Sequence, residues 1–333
     1  VARHQLQTIY NHLIWVLLDS TPFPQCLNLI NGAISDVQGL LESQMADDLV
    51  NMAETVAQDE RSLAWLRAGD YSGWHADNTD LPVTTALASF LDTYGHRAAG
   101  EGETARQRWL EDPSPICRQM LTLIEHETSH PRKLPSNGSL RRLQEAAGEE
   151  AKEATAQIED LRQMLILQSH ALNAVAYVLA GTRNWAVAAG NEAMSDSRLL
   201  AVEDAFFFEL EELKQMMTGE WNISAREEIQ SRVVERRAEY AALPQAAPAP
   251  ILIGDQVANC TDVGLPGSHG HTVGPLRRWQ ESGPQTCNGA VVGAEQMDSG
   301  WSILLPTVGG IVIACCTPYD PIVAASRHWH TPM

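Results

Sequence analysis

The feature that most constrains this chain is a change of texture at the run Ala-Leu-Pro-Gln-Ala-Ala-Pro-Ala-Pro, residues 242–250. Before it, from Gln5 to about Met217, apolar residues recur at helical spacing with few β-branched runs, as in Val37–Leu41 and Ala151–Ala180. That periodicity predicts a mainly α-helical region. After it come short β-branched runs set between glycines and prolines: Gly289–Gly293, Trp301–Leu305, Gly310–Ile313 and Ile322–Val323. These read as strands of a small α/β domain. A Pro/Ala run suits a spacer, so the reading is a multidomain chain: a helical domain over 1–243, a linker over 244–254 and a small α/β domain over 255–333. With 333 residues, 44% of them hydrophobic, two cores of this size are affordable.

Within the helical part, breaker clusters fall at 68–73, at 98–100 and over the polar stretch 129–138, the last expected to be the most mobile. A charged helix is expected over Ser224–Ala242, with Ser224 as its N-cap and Glu227 completing a capping box.

Acidic side chains outnumber basic ones 42 to 23, for a formal net charge of −19. Such a surface repels phosphate backbones and anionic lipid, so neither nucleic acid nor membrane is expected as a partner. No run reaches the ~18 uninterrupted apolar residues of a spanning helix, and the opening VARHQLQTIY lacks the pattern of a secretory signal. A cytoplasmic protein is the expectation. The six cysteines contain no C-x-x-C pair and read as reduced, mostly buried thiols.

Three segments, in this order, resemble the rifampicin phosphotransferase branch of the phosphoenolpyruvate-utilising enzymes. Phe90–Pro113 (FLDTYGHRAAGEGETARQRWLEDP) is similar to the F-L-x-x-Y-G-H-R-x-x-x-E-x-E…R-W-x-E-D-P block of the family's helical substrate domain. Val202–Leu213 (VEDAFFFELEEL) resembles the segment that precedes the linker. Gly264–Arg277 (GLPGSHGHTVGPLR) resembles the opening of the swivelling phosphohistidine domain, with His269 standing where the family usually has proline. Downstream, Asp298–Val312 resembles the strand leading to the carrier histidine.

The resemblance implies a phosphoryl relay whose parts are missing here. No Gly-rich phosphate loop is present, and the length leaves no room for an ATP-grasp domain. An ungapped alignment from Gly309-Gly310 places Pro321 at the carrier-histidine position and Asp320 at its serine. In the helix over 161–183, where relatives carry a cationic R-E-x-x-K/R pattern, this chain reads Leu167–Asn173 (LQSHALN). Both departures point to a degenerate carrier domain and away from phosphoryl transfer.

Several residues are candidates for chemistry. His96, Arg97 and Glu101 lie within six residues on a turn-rich segment and can surround one polar pocket as catalytic groups; a buried ion-pair network would use the same residues. Glu103, Arg108, His170, Asn173, Tyr177 and Trp185 are the substrate-binding candidates. His170, Asn173 and Tyr177 share one helix face, and Trp65, Trp74, Trp109, Trp185 and Trp221 can line a hydrophobic cavity or simply fill cores. The His269/His271 and His328/His330 pairs lack neighbouring ligands for a metal, so neither a metal nor another cofactor is expected. The reading that follows is a cofactor-independent cyclase or lyase on a bulky, polyketide-like small molecule, with a homodimer left open. The alternatives are the acceptor subunit of a split phosphotransferase and a non-catalytic binding or self-resistance protein.

Overall fold

The computed structural model describes residues 2–72, 74–75, 80–126, 138–243, 251–253, 256–258, 264–278 and 287–333. The helical region holds α1 (Ala2–Leu18), α2 (Phe23–Ala33), α3 (Leu41–Val56), α4 (Glu60–Ala68), α5 (Pro82–Tyr94), α6 (Ser114–Glu125) and α7 (Ser139–Ala147). It continues with α8 (Ala151–Ser195), α9 (Leu210–Thr218) and α10 (Arg226–Ala242). The strands follow: β1 (Ile251–Ile253), β2 (Gln256–Ala258), β3 (Leu276–Arg278), β4 (Val291–Ala294) and β5 (Gly310–Ile313), before α11 (Pro321–His328). The expected fold class, a helical region followed by a small α/β part, is the one observed.

The chain packs into two compact units. The first comprises Val1–Gly100, Arg108–Ala174 and Pro248–Met333; the second comprises Glu101–Gln107 and Val175–Ala247. Helix α8 therefore gives its residues up to 174 to the first unit and the remainder to the second.

In the first unit, β3, β4 and β5 form a parallel sheet in that order, with Val291 beside both Leu276 and Gly310. Its apolar residues do not close a core of their own. Val292, Ile311, Trp301, Ile322 and Val323 join Leu49 and Val50 of α3, Leu87 and Leu91 of α5, and Met120 of α6 in one buried cluster. A second cluster joins α1, α2, α7 and the start of α8 with Tyr319 and Ala324. A three-stranded sheet this short needs such a partner layer to bury its face.

One close approach fixes where the C-terminal segment meets the helices. A Cβ on Gly300 would lie 1.9 Å from the carbonyl oxygen of Ala98, so only glycine fits there, and the Gly100 N–H donates to Asp298 Oδ1 at 3.3 Å. The motifs around Gly95–Gly100 and Asp298–Trp301 are thus held together.

In the second unit a core forms from Ala186, Ala189, Leu213, Met216, Ile229 and Val233. Arg198, 4% exposed, donates through Nη1 to the carbonyls of Met216 and Trp221 at 2.6 and 2.8 Å and tethers the end of α8 to the loop after α9.

Several sequence expectations need correction. Trp301–Leu305 is not a strand but part of the 3-10 turn Ser299–Leu304, buried throughout. Ile322–Val323 lies in α11, which Pro321 opens at the first helical position, where its missing N–H costs nothing. The cap of the α10 segment is Asn222, whose side chain accepts from the Ser224 N–H at 2.9 Å; a 3-10 turn intervenes before α10. The linker over 244–254, apart from Ile251–Ile253, the loop 129–137 and Cys260 lie outside the described residues. Cys26, Cys117 and Cys287 are buried, while Cys315 is half-buried and Cys316 exposed, and none of these five is in a disulfide. Within Ser139–Ser195, one 18-residue window with mean hydropathy 1.4 is long and apolar enough to cross a membrane, by length and composition alone.

Candidate functional site

Helix α5 ends at Tyr94, and the chain turns sharply enough for the Arg97 N–H to donate to the Tyr94 carbonyl at 2.9 Å. The turn is pinned from the other side: the Trp109 N–H donates to Arg97 O at 3.0 Å, and the Leu110 N–H to Gly95 O at 3.0 Å. Trp109, 2% exposed, sits in the core near Phe90. His96 and Arg97 therefore project from a braced backbone.

Two further helices meet them. Ser169 and Asn173 are one turn apart on α8 and share a face. Glu42 lies in the first turn of α3, its side chain fully buried. The Ser169 hydroxyl donates to Glu42 Oε2 at 2.5 Å and accepts from the Leu41 N–H at 3.0 Å. Arg97 Nη1 donates to Asn173 Oδ1 at 2.8 Å, and its Nη2 lies 3.9 Å from Glu42 Oε1. His96 Nε2 is 2.9 Å from the same Asn173 oxygen.

This geometry assigns protons. A guanidinium only donates, so the Asn173 atom it meets is the carbonyl oxygen, which only accepts. His96 Nε2 therefore carries its hydrogen, and in the neutral ring Nδ1 keeps the lone pair. Burial, reinforced by Arg97 and Arg108 and opposed by the Asn173 bond, pushes His96 down to about 4. Near pH 7 its imidazole is neutral: a hydrogen-bonding group and a weak base, well below the optimum for proton transfer at that pH. Behind it, burial and the hydrogen bond to Asp48 Oδ2 at 2.7 Å raise the Tyr94 phenol above its usual range.

The other candidates divide between the two units. Arg108 is buried in the first unit, where its N–H donates to Glu111 Oε1 at 3.1 Å. His170 is exposed, so it does not join its helix neighbour Asn173 in the cluster. Glu101, Glu103, Tyr177 and Trp185 belong to the second unit. There Glu103 accepts from the Ala105 N–H at 3.0 Å, and Arg183 Nη1 donates to the carbonyls of Thr104 and Ala105 at 3.1 and 2.8 Å. Glu101 is 7% exposed and Tyr177 51%. Among the tryptophans, Trp74 and Trp109 fill the first unit's core, and Trp185 and Trp221 pack against that of the second. Pro321 is buried at the start of α11, beside Asp320, whose Oδ2 accepts from the Thr317 N–H at 2.6 Å. His328 Nε2 lies 3.5 Å from Asp47 Oδ2.

Glu42 and Ser169 are the cluster members the sequence reading missed. Ser169 was findable, one helical turn before Asn173 on the same face; nothing in the sequence ties Glu42 to a helix 127 residues later.

Residues 8–188, more than half of the chain, match the family model of the rifampicin phosphotransferase fourth domain. The match takes in the whole Glu42, His96, Arg97, Ser169 and Asn173 cluster.

Proposed function

Because this chain belongs to the family of the rifampicin phosphotransferase fourth domain, we propose that it binds a bulky, hydroxylated, polyketide-like small molecule at the His96–Asn173 edge and rearranges it without phosphoryl transfer. Cyclisation or dehydration is the reaction class. The observation that carries the reading is the shared Asn173 oxygen, which fixes a neutral imidazole beside a guanidinium anchored over a buried carboxylate. Such a set orients hydroxyl and carbonyl groups, and orientation alone supplies a large part of many barriers. Arg97 serves as the cationic donor and His96 as the neutral acceptor through Nδ1. Proline at 321 has no nitrogen that could carry a phosphoryl group, which supports chemistry without a phosphohistidine. The charge of −19 supports a small-molecule partner over nucleic acid or anionic membrane, and the proposed compartment is the cytoplasm.

A second reading has its own observation. A histidine held at about 4 is a poor base near pH 7, which favours sequestration of the same ligand without turnover.

Rifampicin is the first probe, offered with ATP and magnesium, with binding followed by calorimetry and products by mass spectrometry. Saturable binding is expected, weakened about tenfold in Asn173→Ala because two donors lose their acceptor. A product of altered connectivity supports catalysis, and unchanged ligand supports sequestration. A product carrying an added phosphoryl group overturns the proposal.

A further inference from the structure

His269, the residue that departs from the family's usual proline, stands far in sequence from the His96 cluster and has a setting of its own. Its backbone is clamped on both sides. The N–H groups of Gly267 and Ser268 donate to the Met333 carbonyl at 2.9 and 3.3 Å, and Arg327 Nε donates to the Gly267 carbonyl at 2.7 Å. Arg327 is 1% exposed, so that clamp is a buried one. On the far side, Gly270 has φ 135°, and a Cβ there would meet Pro332 Cγ at 2.8 Å. The His269 ring projects from this braced tip onto α2, where Nε2 donates to the Asn28 carbonyl at 3.1 Å.

There it walls a cleft of about 310 Å³ whose other polar lining is Thr21, Gln25, Asn28, Ser139 and Arg142. Gly32 lets the walls converge: a Cβ at that position would lie 2.7 Å from Ser139 Oγ and 3.4 Å from His269 Nε2. The chemistry of the lining is one-sided. A guanidinium, two hydroxyls and two primary amides can all donate, and among the described residues no carboxylate lines the cleft. Arg142 makes no ion pair among the described residues, whereas its neighbour Arg141 is paired with Glu145 at 2.8 Å. In a chain of net charge −19, general attraction cannot recruit an anion, so local donors would have to do it.

We propose that this cleft binds the phosphate group of a small phosphorylated metabolite, with Arg142 as the charged donor, Ser139 and Gln25 as neutral donors, and His269 as the fixed wall. Donors approaching from α2 and α7 suit three tetrahedrally arranged oxygens better than the two coplanar oxygens of a carboxylate. The site is separate from the His96 cluster and does not depend on the reaction proposed there.

The test is calorimetric titration of the full chain with inorganic phosphate in a zwitterionic buffer, with acetate as the planar control. Saturable 1:1 binding of phosphate is expected, weaker by about tenfold or more in Arg142→Gln and unchanged in Arg141→Gln. His269→Ala is expected to weaken it as well, and circular dichroism checks that each variant is folded. No saturation with phosphate, equal losses in the two arginine variants, or acetate binding as tightly as phosphate would each overturn the proposal. Unaltered binding in His269→Ala would remove His269 from the site.

Discussion

The two compact units use the same residue pair, arginine with glutamate, in opposite ways. In the second unit Glu212 takes both Arg236 nitrogens, at 2.5 and 2.8 Å, and Arg232 at 2.6 Å. Those two guanidinium groups also stack on Phe208 and Trp221, while Arg183 and Arg237 cover Phe206 and Phe207. Every member of the Phe206-Phe207-Phe208 run thus has an arginine over its ring. In the first unit Arg97 is 2% exposed and meets its carboxylate at only 3.9 Å, giving its short bond to an amide it shares with histidine. The contrast teaches that a partly exposed pair with short, charge-assisted bonds fastens helices, whereas the buried Arg97 is positioned through an amide that also orients a histidine. The first arrangement is a clasp; the second has the makings of a site.

The sharpest way to break this contrast is Glu42→Gln, which keeps the shape but removes the buried carboxylate facing Arg97. A loss of about 3–5 kcal/mol is expected, as for removing one partner of a buried pair, read from urea unfolding. A loss below about 1 kcal/mol, the scale of an exposed pair, would make the two units alike after all. Gly300→Ala comes next. Its methyl group collides with the Ala98 carbonyl beside His96, and about 1–3 kcal/mol should be lost to overpacking, together with a shift of the His96 NMR resonances. Unchanged His96 signals would show that this contact does not brace the site.

Glu212→Gln probes the other side of the comparison, with about 1–2 kcal/mol expected from a partly exposed, charge-assisted network. Burial raises the Glu212 pKa, but Arg236, the Glu209 N–H and Arg232 outweigh it and hold the carboxyl at about 2. Its folded pKa being depressed, its contribution is present above the ordinary carboxylate range, about 4.3, and is lost as pH falls from there towards 2. The Trp221 indole resonance should report loosening over that window in the wild type, and the variant should lack the acid transition.

The effect smallest at neutral pH concerns His96. Held at about 4, it is neutral in the folded state, while an unfolded histidine protonates near about 6.5. Between those values the unfolded state binds the extra proton, so stability falls as pH drops from 6.5 to 4. His96→Asn should flatten that slope, and the wild-type ring signals should not titrate between pH 7 and 5. Titration in that interval would return His96 to the role of general base.

The pattern of success in reading the sequence has physical causes. Helical periodicity and the Gly69 and Gly100 breaks are local signals, and both glycines have the positive φ that such punctuation implies, 74° and 80°. Trp301–Leu305 and Ile322–Val323 looked like strands because a short apolar run carries no period. Burial from all sides turned one into a 3-10 turn, and Pro321 started a helix through the other. His96, Arg97 and Asn173 were each singled out, yet as members of different groups; the amide that unites them is 77 residues away from His96 along the chain.

By itself, then, the sequence determined what local chemistry can encode: a long helical region, a short α/β segment after the Pro/Ala run, and the family resemblance. Only the tertiary structure decided which of those parts share a core and which polar groups meet. It buried the sheet and α11 against α3, α5 and α6, split the His96–Glu103 segment between two units, and set Glu42 and Ser169 behind Arg97. The physical reason is range: helix period, caps and turns act within a few residues, whereas burial, and through it the neutral state of His96, is created only when distant segments exclude water together.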